Sequence, residues 1–234
     1  MAELTLKAYN IGGLNDELID DFSRSYDWKK VEINNEKTQM DLYVSDKMFF
    51  RFENLVVSST ASNTITSIKI TVYKDDKEIY TNAGSQGYAF LRVETLKTTN
   101  TVMFKFCFGT NILTTGGSSG NNGRLIVTTA RNVETDEEAP IIIHVTDFSA
   151  GGSNIATIYS DDGDSASMTG GVYSLSLFSS FVTSIAPLTN QYSKYAAKYV
   201  YTVHSSQLGG VNLHAPALIN NVNYYLYGTL AFRE

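Results

Sequence analysis

With one cysteine, three prolines and no strong excess of either charge, this 234-residue chain lacks the marks of several protein classes. A single thiol, Cys107, cannot staple a fold, which excludes the disulfide frameworks of small secreted domains. Set in the run Val102-Met103-Phe104-Lys105-Phe106-Cys107-Phe108, it reads as a small buried hydrophobe. The 18 Lys and Arg stand against 24 Asp and Glu, for a net charge of −6, and the cations are not clustered. Phosphate binding needs clustered cations, so no nucleic-acid partner is expected. No apolar run approaches the roughly 18 residues of a membrane span, and no membrane insertion is expected. The start, Met1-Ala2-Glu3-Leu4-Thr5-Leu6-Lys7, lacks the basic and apolar regions of a secretory signal. No Asn-x-Ser/Thr acceptor occurs either. These absences suit a product made and kept in a cytosol, or released from one by lysis, as for a bacterial or phage origin.

What the chain does contain is strand-forming material. It has 15 Tyr, 12 Phe and 17 Gly, beside many Thr, Val and Ile. Residues 14–28 hold the best helix signal, with Leu14, Leu18, Ile19 and Phe22 near one face and Asn15 or Asp16 as the cap. From Thr38 onward the period becomes two. Met40, Leu42 and Val44 alternate with polar partners, and Phe50, Phe52 and Leu55 follow. Residues 65–73 alternate over nine positions, and Lys74-Asp75-Asp76-Lys77-Glu78 turns the chain back into Ile79-Tyr80. Further strands are expected over residues 88–93, 102–108, 124–129, 141–145, 155–159, 172–178, 181–188 and 199–203. The acidic stretch Asn132-Val133-Glu134-Thr135-Asp136-Glu137-Glu138-Ala139-Pro140 is the sharpest composition shift and reads as a linker, with a long loop inside one domain as the alternative. The expected fold is therefore all-β. It comprises two small sandwich- or barrel-like domains, residues 1–135 and 136–234, with at most one short N-terminal helix.

Candidate chemistry is thin. Asp161-Asp162-Gly163-Asp164 suggests calcium, but no closing bidentate acid follows, and a solvated turn is the better reading. His144, His204 and His214 lack metal-ligand spacing. Thr114 to Gly123 is a Gly-rich, low-complexity loop leading into Arg124-Leu125-Ile126-Val127, a strand pattern rather than the helix a phosphate cradle requires. The pairs Asp20-Asp21 and Glu137-Glu138 read as solvated charge. No cofactor and no enzymatic activity are expected. The aromatics Tyr192, Tyr195, Tyr199, Tyr201, Tyr224, Tyr225 and Tyr227 crowd the last third of the chain. Core filling, a subunit interface and a sugar platform are the three readings of that crowd. Tyr192, Tyr195, Tyr224, Tyr225, Tyr227 and Trp28 are the candidate interface residues.

The chain ends Leu218-Ile219-Asn220-Asn221-Val222-Asn223-Tyr224-Tyr225-Leu226-Tyr227-Gly228-Thr229-Leu230-Ala231-Phe232-Arg233-Glu234. Asn220-Asn221 is a two-residue turn signal, because Asn tolerates the positive φ of primed hairpin turns. Gly228 permits a bend before a closing apolar strand. This ending resembles a C-terminal hairpin of structural proteins of tailed bacteriophages, from which it departs in having Asn221 where Gly is usual. The resemblance covers the last 17 residues firmly and the segment from Gly170 loosely. It implies a non-enzymatic virion protein of a phage or prophage-derived particle, as a tail, collar, baseplate or capsid-attached component. The implied partners are copies of itself and other virion proteins. A receptor- or carbohydrate-binding module for a host surface glycan is the alternative, and a glycan-cleaving enzyme on a β scaffold the third reading.

Overall fold

The computed structural model describes residues 1–58, 64–84, 88–110, 123–146, 155–162, 166–168, 185–189, 194–203, 214–228 and 230–234. The fold is all-β, with two sheet systems and one short helix among these residues. In order the elements are β1 (Glu3–Asn10), α1 (Asp16–Ser23), β2 (Lys30–Ile33), β3 (Gln39–Tyr43), β4 (Met48–Ser58), β5 (Thr64–Lys74), β6 (Lys77–Ala83), β7 (Phe90–Lys97), β8 (Val102–Gly109) and β9 (Gly123–Asn132). They continue as β10 (Glu138–Thr146), β11 (Ile155–Tyr159), β12 (Ala166–Met168), β13 (Ile185–Thr189), β14 (Tyr195–Val203), β15 (His214–Ile219), β16 (Val222–Tyr227) and β17 (Leu230–Arg233). Residues 172–178, expected as a strand, lie outside the described residues.

Two compact units are built from interleaved segments. One comprises Met1–Leu4, Leu96–Met103 and Leu125–Glu234; the other comprises Thr5–Thr95 and Phe104–Arg124. Strands β7, β8 and β9 each carry residues of both. The acidic stretch 132–140 is the turn from β9 into β10, closed by the Asn132 amide on the Glu137 carbonyl at 2.8 Å, and both its ends belong to the first of these units.

In the unit of residues 5–95 and 104–124, β2 to β6 form an antiparallel five-stranded sheet in sequence order. Its alternation places Met40, Leu42, Phe50, Phe52, Ile68, Ile70 and Val72 on one face, each at most 1% exposed. Burying a side chain of this size contributes about 1.5–3 kcal/mol, so this face is a main source of stability. The charged turn expected over Lys74 to Glu78 is tighter than the sequence suggests: only Asp75 and Asp76 lie between β5 and β6, and both take positive φ, the geometry of a two-residue turn. Helix α1 is shorter than the sequence pattern suggests. Asn15 caps it by accepting from the Leu18 amide, and Leu18, Ile19 and Phe22 are buried. It stops early because the Phe22 carbonyl accepts from the Ser25 amide and hydroxyl and from the Trp28 indole, which draws the chain out of helical geometry.

In the other unit, β9, β14, β17, β16 and β15 are successive neighbours, β10 to β12 branch from β9, and β13 pairs with β14. The terminal hairpin forms in the expected register, with Leu218 opposite Asn223 and Ile219 opposite Val222. Asn220 and Asn221 have φ of 50° and 62°, as a primed turn requires. We expect Asn221→Gly to be neutral or stabilising by up to about 1 kcal/mol, because Gly meets no Cβ penalty at positive φ. A loss of stability in chemical denaturation would contradict the turn assignment.

Candidate functional site

The tyrosines named as interface candidates are largely interior. Along β16, Tyr224 and Leu226 join Ile219 and Ala231 in one apolar cluster. Tyr227 joins Leu230, Phe232 and Val200 in another, with Tyr225 half-buried against it. Tyr224 and Tyr227 are 6% and 3% exposed, because strand alternation sends them to opposite faces that are both covered. Tyr224 meets Tyr201 edge-on at 5.3 Å, and His214 stacks on Tyr227 at 4.1 Å. Trp28 is buried in the other unit, edge-on to Phe50 and stacked on Phe104, and its indole N–H reaches the Phe22 carbonyl. Its ring is therefore core. Tyr192 lies outside the described residues.

Tyr195 is buried as well, and it belongs to a polar constellation around Asp162. Its hydroxyl donates to Asp162 Oδ2 at 2.7 Å, Ser160 donates to Oδ1 at 2.9 Å, and Lys194 Nζ lies 2.9 Å from Oδ2. Burial alone would raise the Asp162 pKa, but these three donors outweigh it and bring the carboxyl down to about 2. A depressed folded pKa stabilises the fold above the unfolded value of about 3.9, and that contribution is lost as pH falls toward 2. Asp162→Asn should therefore lower urea stability at pH 7, modestly because the group is partly exposed, and cost clearly less at pH 2. An equal cost at both pH values would show that charge is not the reason. Gly163 and Asp164 lie outside the described residues, as does His204.

Other sequence features resolve into structural roles. Asp21 accepts from Lys7 Nζ and from the Tyr9 hydroxyl, tying α1 to β1, while Asp20 pairs with Arg24 one turn on. Cys107 is half-exposed rather than buried: Phe104, Phe106 and Phe108 take the interior face of β8, leaving Lys105 and Cys107 on the other. His144 is half-buried and His214 exposed. Among the described residues no three His, Cys, Asp or Glu are placed to hold a metal ion. Gly116-Gly117-Ser118-Ser119-Gly120 has the spacing of a nucleophile elbow, which is a strand–turn–helix device. It lies outside the described residues, and the element after it, β9, is a strand.

The surface that sequence reasoning missed is the outer face and free edge of the five-stranded sheet. Tyr43, Phe49 and Tyr73 stand opposite one another on β3, β4 and β5, stacked at 5.0 Å and 4.9 Å. In the next row Arg51 makes a two-point pair with Asp41 at 2.8 Å and 2.7 Å, its guanidinium 5.3 Å from both the Phe49 and Tyr73 rings. That pairing with the buried Asp41 holds the guanidinium pKa well above its usual value. Burial, then a hydrogen bond with Glu32, pushes the Tyr43 hydroxyl up to about 12. Phe49 lies between the other two rings, and Lys30 sits over Tyr43. The stacked rings and the Asp41–Arg51 pair tie β3, β4 and β5 together on this face. No signal of spacing announces it, because the three residues meet only through strand register.

At the sheet edge, β2 is exposed along its whole length, with Val31 at 38% and Ile33 at 41%. Ile33 also lines an open groove of about 680 Å³ against Asp16, Glu17, Ile19, Asp20, Ser23 and Arg24 of the helical segment. An edge strand carrying exposed apolar side chains is a surface suited to pairing with another strand. Of the described surfaces, this edge is the candidate functional site. Comparison with known proteins found no family model, no curated protein and no solved structure that matches the chain.

Proposed function

We propose that the chain is a non-enzymatic structural protein of a tailed-phage or prophage-derived particle, assembling with copies of itself and with other virion proteins. The observation that carries this reading is the C-terminal hairpin. The stretch that resembles phage structural proteins is a complete structural element, with its primed turn at Asn220-Asn221 and β17 held between β14 and β16. The exposed edge of β2 supports assembly through strand pairing. The glycan-binding alternative draws less support, since Trp28, Tyr195, Tyr224 and Tyr227 turn inward. In this reading the protein is made in the bacterial cytoplasm and resides in the particle, in the tail, the collar, the baseplate or on the capsid.

Antibody labelling of gradient-purified particles from a producing culture tests the proposal. The protein should co-sediment with particles and decorate one location on them in electron micrographs. Recovery only in the soluble fraction would overturn the virion assignment, and specific signal on a glycan array would then favour the binding module.

A further inference from the structure

From the pattern of charge and hydrogen-bonding groups along β2, we infer that this edge pairs antiparallel with β2 of a second copy of the chain, about a two-fold axis at Val31. The inner side of β2 is engaged by β3, with Lys30 opposite Tyr43, Val31 opposite Leu42, Glu32 opposite Asp41 and Ile33 opposite Met40. The Asn34 amide donates to the Gln39 carbonyl at 3.1 Å, which identifies even-numbered positions as the hydrogen-bonded pairs of that ladder. The N–H and C=O groups of Val31 and Ile33 therefore point away from β3. Among the described residues no strand takes them up.

A second β2 that takes up the outward groups of Val31 must pair odd positions with odd positions, which restricts the register to steps of two; the Lys29 amide is already given to the Tyr43 carbonyl at 2.8 Å, so Val31 is the centre of the pairing. Centring the axis on Lys30 would set Lys30 against Lys30 of the other copy. Centring it on Glu32 would set Glu32 against Glu32. Centring it on Val31 sets each Lys30 opposite a Glu32, twice over, and brings the two exposed Val31 side chains together on the opposite face. Like charges directly opposed destabilise a sheet and unlike charges stabilise it, so the charge pattern selects this register from its immediate neighbours. Lys30 and Glu32 already pair within one strand, so facing their counterparts requires only a change of partner. The contact is isologous, meaning that one surface serves both partners, as a two-fold interface requires. Charge on an edge strand also blocks indiscriminate pairing, and here it disfavours the two registers adjacent to the Val31-centred one.

This inference deepens the assembly reading, but its test needs no particle. Sedimentation velocity of the full chain over a concentration series should show a monomer–dimer equilibrium. Lys30→Glu and Glu32→Lys should each raise the dissociation constant about tenfold or more, because each opposes like charges. The double variant K30E/E32K should restore the dimer, and mixing the two single variants should give a heterodimer. Both side chains are exposed, so circular dichroism should show all variants folded. Lys77→Glu, on the opposite edge strand β6, should leave the equilibrium unchanged. A wild-type chain that stays monomeric up to about 1 mM would overturn the inference. So would a dimer indifferent to the swaps. A confirmed dimer absent from particles would instead sink the virion assignment alone.

Discussion

Removal of residues 218–234 is expected to leave a chain that is insoluble or aggregated. Strand β17 is an interior strand: Leu230, Ala231 and Phe232 pair with Thr202, Tyr201 and Val200 of β14 on one side and with β16 on the other. Leu226, Tyr227, Leu230, Ala231 and Phe232 are all at most 3% exposed. Each large apolar side chain among them contributes about 1.5–3 kcal/mol when buried, and domains have only about 5–15 kcal/mol of stability in total. Deletion also strips β14 of a neighbour and bares an apolar edge, the setting for edge-to-edge aggregation. The N-terminus loses a partner as well, since the Ala2 amide donates to the Glu234 carboxylate at 2.7 Å. Soluble yield, size-exclusion profile and thermal melting of the truncated chain would check this. A soluble, monodisperse product with an unchanged melt would make the hairpin a dispensable tail and deprive the phage resemblance of structural meaning.

Phe22→Ala should cost about 3–5 kcal/mol in chemical denaturation, the range for deleting a fully packed ring. Eight residues are too few for a helix to persist in water by itself, so α1 depends on what its apolar face packs against. Phe22 is the aromatic member of that face, beside Leu18 and Ile19. Its ring lies 4.7 Å from Phe52, 5.4 Å from Phe104, 5.9 Å from Phe106 and 6.0 Å from Tyr9. Phe22→Leu should recover much of the loss by refilling the cavity. Asp20→Ala removes only an exposed pair with Arg24, so it should stay within about 0.5 kcal/mol of wild type. A Phe22→Ala cost below about 1 kcal/mol would show that α1 is not anchored through this ring.

Local chemistry determined much of the fold in advance. Nine alternating residues produced β5, paired Asp and paired Asn produced two positive-φ turns, and Asn15 with Leu18, Ile19 and Phe22 produced α1. These features rest on nearest neighbours in sequence, so they can be read without knowing what packs where. The sequence pattern did not reveal β1 or β2. The four residues of β2 are too few to establish a period, and it exists because β3 offers it a partner. The fate of the tyrosines was equally hidden. Whether Tyr224 or Tyr227 faces water depends on what covers each side of β16, and both sides are covered. The Tyr43–Phe49–Tyr73 ladder and the Asp41–Arg51 pair arise from register between strands. That no described strand takes up the outward groups of Val31 and Ile33 follows from which strands β2 neighbours. Alternation along a strand is a property of the chain; which face is buried and which edge is left open is decided only when distant segments meet.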